Sequence, residues 1–269
     1  MQMTHIKEQW NAGNPTINGW CSIGSSFTAE IMAAQGYDSL TIDMQHGALD
    51  YSSALPMLQA MKACGATLLV RVPWRDAGSI MKALDAGAMG IICPMINNRA
   101  EAEEFVSYLR YPPDGQRSFG PTRASIAMPG YGVDANQSVL ALAMIETADG
   151  MTNLEDIAST PGLDGIYVGP ADLTLGTQEG RLQPGFDRAE SEMIALIKRI
   201  AEICNQNGIA ACIHCGTPEY AARTIGWGYK MTTVSGDARL LAASVSASVV
   251  EWRQLTKQTG SKLANTGLY

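Results

Sequence analysis

Short apolar runs, several of them rich in β-branched residues, alternate along most of the chain with stretches whose apolar positions recur every three or four residues. That alternation predicts strands separated by helices. About eight strands are expected: Gly19 to Ile23, Ser39 to Asp43, Thr67 to Val72, Gly90 to Cys93, Leu140 to Ile145, Gly165 to Val168, Ala210 to His214 and Lys230 to Val234. Between them, Ser53 to Met61 has helical periodicity, and the longer Ala189 to Asn205 carries Ile194, Leu196, Ile197, Ile200 and Ile203 on one side. Gly65, Gly87 and Gly208 each follow a helical run and precede a strand, the place of a C-terminal cap.

Spacing turns this alternation into an architecture. Glu146 and Asp172 lie 26 positions apart, and His46 and Arg71 lie 25 apart, each separation matching one strand-helix step. The fold class expected is α/β, a (β/α)8 (TIM) barrel in one domain over 1–269 with its core over about 17–256. A doubly wound open sheet is the alternative, but no Gly-x-Gly-x-x-Gly follows the first strand. Two segments interrupt the pattern. Arg110 to Tyr131 is rich in proline and glycine and is expected to be a long functional loop after the fourth βα unit, covering the site. Gly176 to Phe186 is a second glycine-punctuated loop, on the same face as Asp172, and the tail after Lys257 reads as loosely ordered.

Composition narrows the function. A chain of 269 residues that is 46% hydrophobic suits one large domain. With 26 acidic against 19 basic residues and no basic cluster, no nucleic-acid partner is expected. No apolar run approaches the roughly 20 residues of a membrane span, and the polar N-terminus has no signal-peptide core, so a cytoplasmic location and no membrane partner are expected. The six cysteines sit in apolar contexts, and no disulfide is assigned. Cys212-Ile213-His214-Cys215 falls in an extended run where residues three apart face opposite ways, which argues against a shared metal.

The candidate chemistry gathers at strand ends, where a parallel barrel keeps its working residues. Glu146 and Asp172 close neighbouring strands, and two carboxylates make a hard oxygen site suited to magnesium or manganese. The competing reading is that each acid caps the helix after it. His46 follows the second strand and precedes Gly47; it serves either as a general base or as a partner of loop backbone groups. His214 is at a strand end without an obvious acidic partner. Arg71 sits inside an apolar strand and must meet an anion, either a substrate group or a buried carboxylate. In Gly169-Pro170-Ala171-Asp172 the N–H groups of Ala171 and Asp172 can hold a substrate carboxylate beside the cation. Arg117 and Arg123 are loop cations that either contact an anion or stay solvated.

Taken in order, Thr41-Ile42-Asp43-Met44-Gln45-His46-Gly47, Leu69-Val70-Arg71-Val72-Pro73, Arg110-Tyr111-Pro112-Pro113-Asp114-Gly115-Gln116-Arg117, Ile145-Glu146-Thr147 and Val168-Gly169-Pro170-Ala171-Asp172-Leu173 resemble the class II, metal-dependent pyruvate aldolases of the HpcH/HpaI family. That family includes 2-dehydro-3-deoxyglucarate and 4-hydroxy-2-oxoheptanedioate aldolases, and the resemblance spans residues 17 to about 250. It implies a phosphoenolpyruvate/pyruvate-type barrel, a homohexamer built as a trimer of dimers with the last helix exchanged, and a divalent cation, magnesium or manganese with cobalt as a further candidate. By position it implies Glu146 and Asp172 as metal ligands, His46 as base, Arg71 as the enolate-stabilising arginine and Asp85 as the acid that raises the basicity of the histidine. Gly169, Pro170, Ala171, Arg71 and Arg123 become the expected substrate contacts. Asp85 conflicts with the barrel reading, because the end of a barrel helix lies at the face opposite the site. Many members carry glutamine two residues before the metal-binding glutamate, where this chain has Met144.

The activity implied is cleavage or formation of 4-hydroxy-2-oxoacids from pyruvate and an aldehyde. Oxaloacetate decarboxylation through the same enolate and a non-catalytic metal-binding barrel are the alternatives. A Schiff-base aldolase needs a lysine at a strand's carboxyl end, and Lys230 begins its strand instead.

Overall fold

Strands form where alternate residues can be buried on two different faces, and this chain supplies eight such runs. In the computed structural model, which describes residues 5–132 and 134–257, they are β1 Thr16–Cys21, β2 Ser39–Asp43, β3 Thr67–Arg71, β4 Gly90–Cys93, β5 Leu140–Ile145, β6 Gly165–Val168, β7 Ala210–Cys215 and β8 Met231–Val234. They pair in parallel in sequence order, and β8 returns to β1 to close the barrel. The sequence places β1 three residues too late; its true start includes Asn18, a buried polar residue inside the barrel that interrupts the apolar signal. The tail beyond Lys257 lies outside the described residues.

Parity sorts the side chains. In β5, Leu140, Leu142 and Met144 join the barrel interior with Leu69, Ile92, Tyr167, Cys212 and Met231, whereas Ala141, Ala143 and Ile145 pack outward beneath the helices. Cys212 faces inward and Cys215 outward, as the two-residue period requires. The helix His5–Asn11 plugs the amino-terminal end of the barrel with Ile6 and Trp10, and Trp10 donates to Thr16 Oγ1 at 2.9 Å. Gly65, Gly87 and Gly208 end their helices with φ of 78°, 105° and 70°, the left-handed turn that halts a helix.

The segment Arg110 to Tyr131 does not cover the strands' carboxyl ends. It joins the helix Arg99–Leu109 to β5, so it runs at the amino-terminal end, and part of it is the helix Thr122–Ala127. Its composition signals an unusual connection but not the end of the barrel on which that connection lies. Buried Arg110 ties it down through Val139 O, Gly162 O and Asp164. Arg117 is buried rather than solvated: it pairs with Asp85 at 2.7 Å, donates to Tyr131 Oη at 2.8 Å and lies over the ring of Tyr111.

The last helix, Asp237–Leu255, has only Asp237 buried among its 19 residues. Leu241, Val245 and Trp252 are exposed along it, and Phe27 and Ile31 are exposed on the helix Ser26–Ala33 that follows β1. No helix among the described residues is long and apolar enough to cross a membrane.

Candidate active site

The inward parity of each strand continues to its carboxyl end, and there the polar residues converge. Ser39, Thr41 and Asp43 follow one another on β2, Leu69 and Arg71 on β3, Met144 and Glu146 at the end of β5, and Cys212 and His214 on β7. Asp43 and Arg71 are register partners. Arg71 Nε donates to Asp43 Oδ1 at 2.9 Å and Nη2 to Oδ2 at 2.7 Å, a two-pronged buried ion pair. Asp43 also accepts from Trp20 Nε1 and from the backbone N–H groups of Gln45 and His46. Burial alone would raise the Asp43 carboxyl, but the hydrogen bonds and charge of Arg71 outweigh it and hold the group below the usual carboxylate range.

The anion that Arg71 requires is therefore supplied by the protein, through Asp43, which the sequence reading did not select. The signal was available: Asp43 has the inward parity of Thr41 and closes the strand next to that of Arg71. Nη1 of Arg71 has no protein partner among the described residues and remains available to a ligand. The same Asp43 carboxylate shapes the turn that carries His46. That turn requires glycine next, because a Cβ on Gly47 would lie 2.2 Å from Asp43 O. His46 is exposed at the rim, with no side-chain hydrogen bond among the described residues.

Glu146 does not cap the helix after it; Thr147 does, accepting from Gly150 N. Instead Glu146 is buried and accepts from Met95 N at 2.8 Å through Oε1. Met95 adopts φ 58°, a left-handed conformation costing a methionine on the order of 1–2 kcal/mol, and so turns its N–H toward the carboxylate. Burial pushes the Glu146 carboxyl up to about 7; the Met95 hydrogen bond opposes this, the Asp172 charge adds to it, and the Arg71 charge opposes it.

Asp172 lies in the first turn of the helix Pro170–Thr177, with Gly169 as its N-cap. That helix start leaves the N–H groups of Ala171 and Asp172 without intrahelical acceptors. A Cβ on Gly169 would sit 2.9 Å from Glu146 Oε2 and 3.1 Å from Met144 Cε, so the glycine keeps open a cradle directly against that oxygen. The donor set fits a hard divalent cation: a buried carboxylate whose Oε2 takes no hydrogen bond among the described residues, a second carboxylate nearby, and no side chain on Gly169 to crowd that oxygen. No third His, Cys, Asp or Glu is grouped with them among the described residues, so for a cation held by these two carboxylates the remaining coordination positions would fall to water and substrate. Met144 occupies the floor of the cradle, where it contributes only apolar surface.

His214 faces inward beside Trp20, at 5.0 Å between ring centroids, with Nδ1 3.3 Å from Tyr167 Oη. Burial, helped by the Arg71 charge, lowers it to about 3, so it is neutral at physiological pH. The loop 178–190 brings Phe186 onto it at 4.5 Å. Gly176 belongs to the preceding helix, but the loop expected there does reach the mouth of the barrel.

Two expected residues are not brought to this mouth by their own chain. Asp85 ends the helix Ala77–Asp85, which runs back toward the strands' amino ends, and it is paired with Arg117. Arg123, expected at the substrate, donates to the carbonyls of Ala86 and Leu58 where two helices finish. Its charge suits helix C-termini. Lys230 precedes β8 at the same end, beside Lys7 and Trp10.

A closed parallel (β/α)8 barrel with two carboxylates, an arginine and a histidine at its carboxyl mouth has the layout of the barrel enzymes, whose working residues stand at the strands' carboxyl ends. Residues 19–243 match the family model for HpcH/HpaI aldolase/citrate lyase, and the chain belongs to that family. The family is generally dependent on a divalent metal. The chain is 38% identical over 254 residues to a hydroxypyruvate/pyruvate aldolase of Rhizorhabdus wittichii, covering 94% of this chain and 100% of that protein. It is 33% identical to a 4-hydroxy-2-oxo-heptane-1,7-dioate aldolase of Escherichia coli over 90% of this chain and 92% of the other. A crystal structure of an HpcH/HpaI aldolase/citrate lyase family protein from Burkholderia cenocepacia superposes with a TM-score of 0.84 at 32% identity, covering 93% and 100% of the two chains.

Proposed function

We propose that this protein is a divalent-metal-dependent aldolase that cleaves or forms 4-hydroxy-2-oxoacids through a pyruvate enolate, with magnesium or manganese as the cation. The observation carrying this reading is the cradle between Glu146 and Gly169, where the lack of a side chain on Gly169 leaves Oε2 of a buried carboxylate uncrowded on that side. Glu146 and Asp172 would hold the cation, which when bound supplies Lewis-acid stabilisation to the developing enolate charge.

The chain's own groups do the rest. The free N–H groups of Ala171 and Asp172, in the turn begun by Gly169 and Pro170, receive the pyruvyl carboxylate. Arg71, locked by Asp43, directs Nη1 at the oxygen on which negative charge grows. In cleavage His46 takes the proton from the C4 hydroxyl, the C3–C4 bond breaks to release the aldehyde, and the electron pair moves into the pyruvate enolate, which is then protonated at C3. The aldolase names of the relatives support this reading over oxaloacetate decarboxylation or a non-catalytic barrel.

Asp85 enters this scheme only from a neighbouring subunit, and the same holds for Arg123. The uncovered apolar face of the helix Asp237–Leu255 supports a homo-oligomer in which that helix is exchanged, with a hexamer built as a trimer of dimers as the expected assembly. A cytoplasmic location agrees with the six free cysteines.

Deuterium exchange into the methyl group of pyruvate tests the enolate directly. Exchange should stop on exhaustive chelation and return with magnesium or manganese; exchange that persists without any divalent cation removes the metal mechanism.

A further inference from the structure

A continuous run of ring contacts, one of them edge-to-face, leads from Arg71, the arginine proposed to stabilise the enolate, to a second arginine across the mouth. Arg71 lies over the Trp20 ring at 4.8 Å, Trp20 meets His214 at 5.0 Å, His214 meets Phe186 at 4.5 Å, and the guanidinium of Arg239 lies over Phe186 at 5.0 Å. Arg239 stands in the first turn of the helix Asp237–Leu255, directly after β8, so its charge adds to the positive end of that helix. Its Nη1 is buried and has no hydrogen-bond partner among the described residues. A buried guanidinium N–H without an acceptor is costly, and an anion relieves that cost best.

The acids that could have neutralised Arg239 are used elsewhere. Asp237, two residues away, accepts from the backbone N–H groups of Ser22, Ile23 and Ala238. Asp187, beside Phe186, accepts from Gly216 N at 2.6 Å and Thr217 Oγ1 at 2.7 Å, which pins the loop 178–190 to the end of β7 and fixes the Phe186 ring. Neither takes part in an ion pair with Arg239 among the described residues. The result is a rigid aromatic wall ending in a cation whose donor is unsatisfied.

We propose that Arg239, held on Phe186, is a specificity-determining residue that binds an anionic group on the acceptor, so that the enzyme prefers aldehydes bearing a carboxylate over neutral ones. This assignment rests on the aldolase reading and names its acceptor class. His214 forms the neutral middle of the wall and leaves the charge recognition to Arg239.

The test is aldol addition of pyruvate to paired acceptors, glyoxylate and succinic semialdehyde against glycolaldehyde and propanal, with methyl exchange of pyruvate followed in the same preparations. Wild-type enzyme should show kcat/KM at least about tenfold higher for the better carboxylated acceptor. Arg239→Gln should lower that ratio by about ten- to a hundredfold, the effect of losing a charge-assisted hydrogen bond. Arg239→Lys should keep part of the preference, because it keeps the charge and loses the planar stack. A wild-type preference for the neutral acceptors, or a ratio unchanged in Arg239→Gln, overturns the assignment. So does an unchanged ratio accompanied by an altered oligomeric mass, which would place Arg239 in a subunit contact. Absence of methyl exchange in the wild type overturns the aldolase reading itself, and this assignment with it.

Discussion

Asp43 and Arg71 act as one unit, and single changes to them should not be equivalent to the double change. Asp43→Asn keeps the shape but leaves a buried guanidinium without its counter-charge, which should cost about 3–5 kcal/mol in urea unfolding and greatly slow pyruvate methyl exchange. Asp43→Asn combined with Arg71→Met should regain much of the stability without regaining exchange, since the charge needing compensation is gone along with the enolate contact. Equal loss of stability in the single and double variants would show that the pair is not coupled. His214 gives a separate signature in pH. Its pKa is about 3 in the folded chain against 6.5 ordinarily, so between these values the unfolded chain binds a proton that the folded one refuses. The stability it contributes is therefore complete above about 6.5 and is lost as pH falls toward 3, at up to about 1.4 kcal/mol per pH unit. The stability difference between wild type and His214→Gln should shift in favour of the variant as pH is lowered from 7 to 4; parallel curves would mean that His214 is not held neutral.

At the scale of the elements, the strands were legible because a two-residue period with apolar content is a local property, and seven of the eight begin within a residue of the positions read from the sequence. Strand ends were legible for the same reason, which is why Glu146, Arg71, His46 and His214 could be picked out. What could not be read was pairing across space. The inward parity of Asp43 on the neighbouring strand makes it a candidate partner for Arg71, but that pairing follows only once the register of the two strands is known, and nothing in the composition of Arg110 to Tyr131 separates a lid from a connection at the amino-terminal end. Phe186, in the shorter loop, is the aromatic residue that reaches the mouth. The turn from β6 into the helix Pro170–Thr177 carries a prediction at this scale. Gly169 has φ −97° and ψ 92°, which alanine can adopt, so Gly169→Ala should fold normally with a thermal midpoint within a few degrees of wild type. Its Cβ must nevertheless displace Glu146 Oε2 from 2.9 Å, which should weaken manganese binding by roughly ten- to a hundredfold in a calorimetric titration. Unchanged affinity would place the cation away from this oxygen.

At the scale of the molecule, the helix Asp237–Leu255 is the part that the barrel leaves unfinished. Its 19 residues extend about 28 Å at the usual helical rise, and only its first residue is buried. Leu241, Val245, Val249 and Trp252 follow one another at spacings of four and three, which places them along one face. Phe27 and Ile31, one turn apart on the helix Ser26–Ala33, present a second uncovered apolar strip. Two such strips on one chain are satisfied together if two copies exchange their last helices, because each then receives what it offers. Light scattering should therefore give a mass well above the 28.7 kDa of one chain at micromolar concentration. Leu241→Glu with Val245→Glu should lower that mass while leaving the barrel's circular dichroism largely intact, since neither side chain belongs to the core. The consequence reaches the site: Arg239 is on the first turn of the same helix, and Asp85 and Arg123 lie at the opposite end of the barrel. If exchange sets the orientation of that first turn, the dissociated variant should lose its preference among acceptors more than it loses pyruvate methyl exchange. If a neighbour supplies Asp85 to His46, both should fall together. A wild-type chain that is monomeric with full activity would eliminate both dependences.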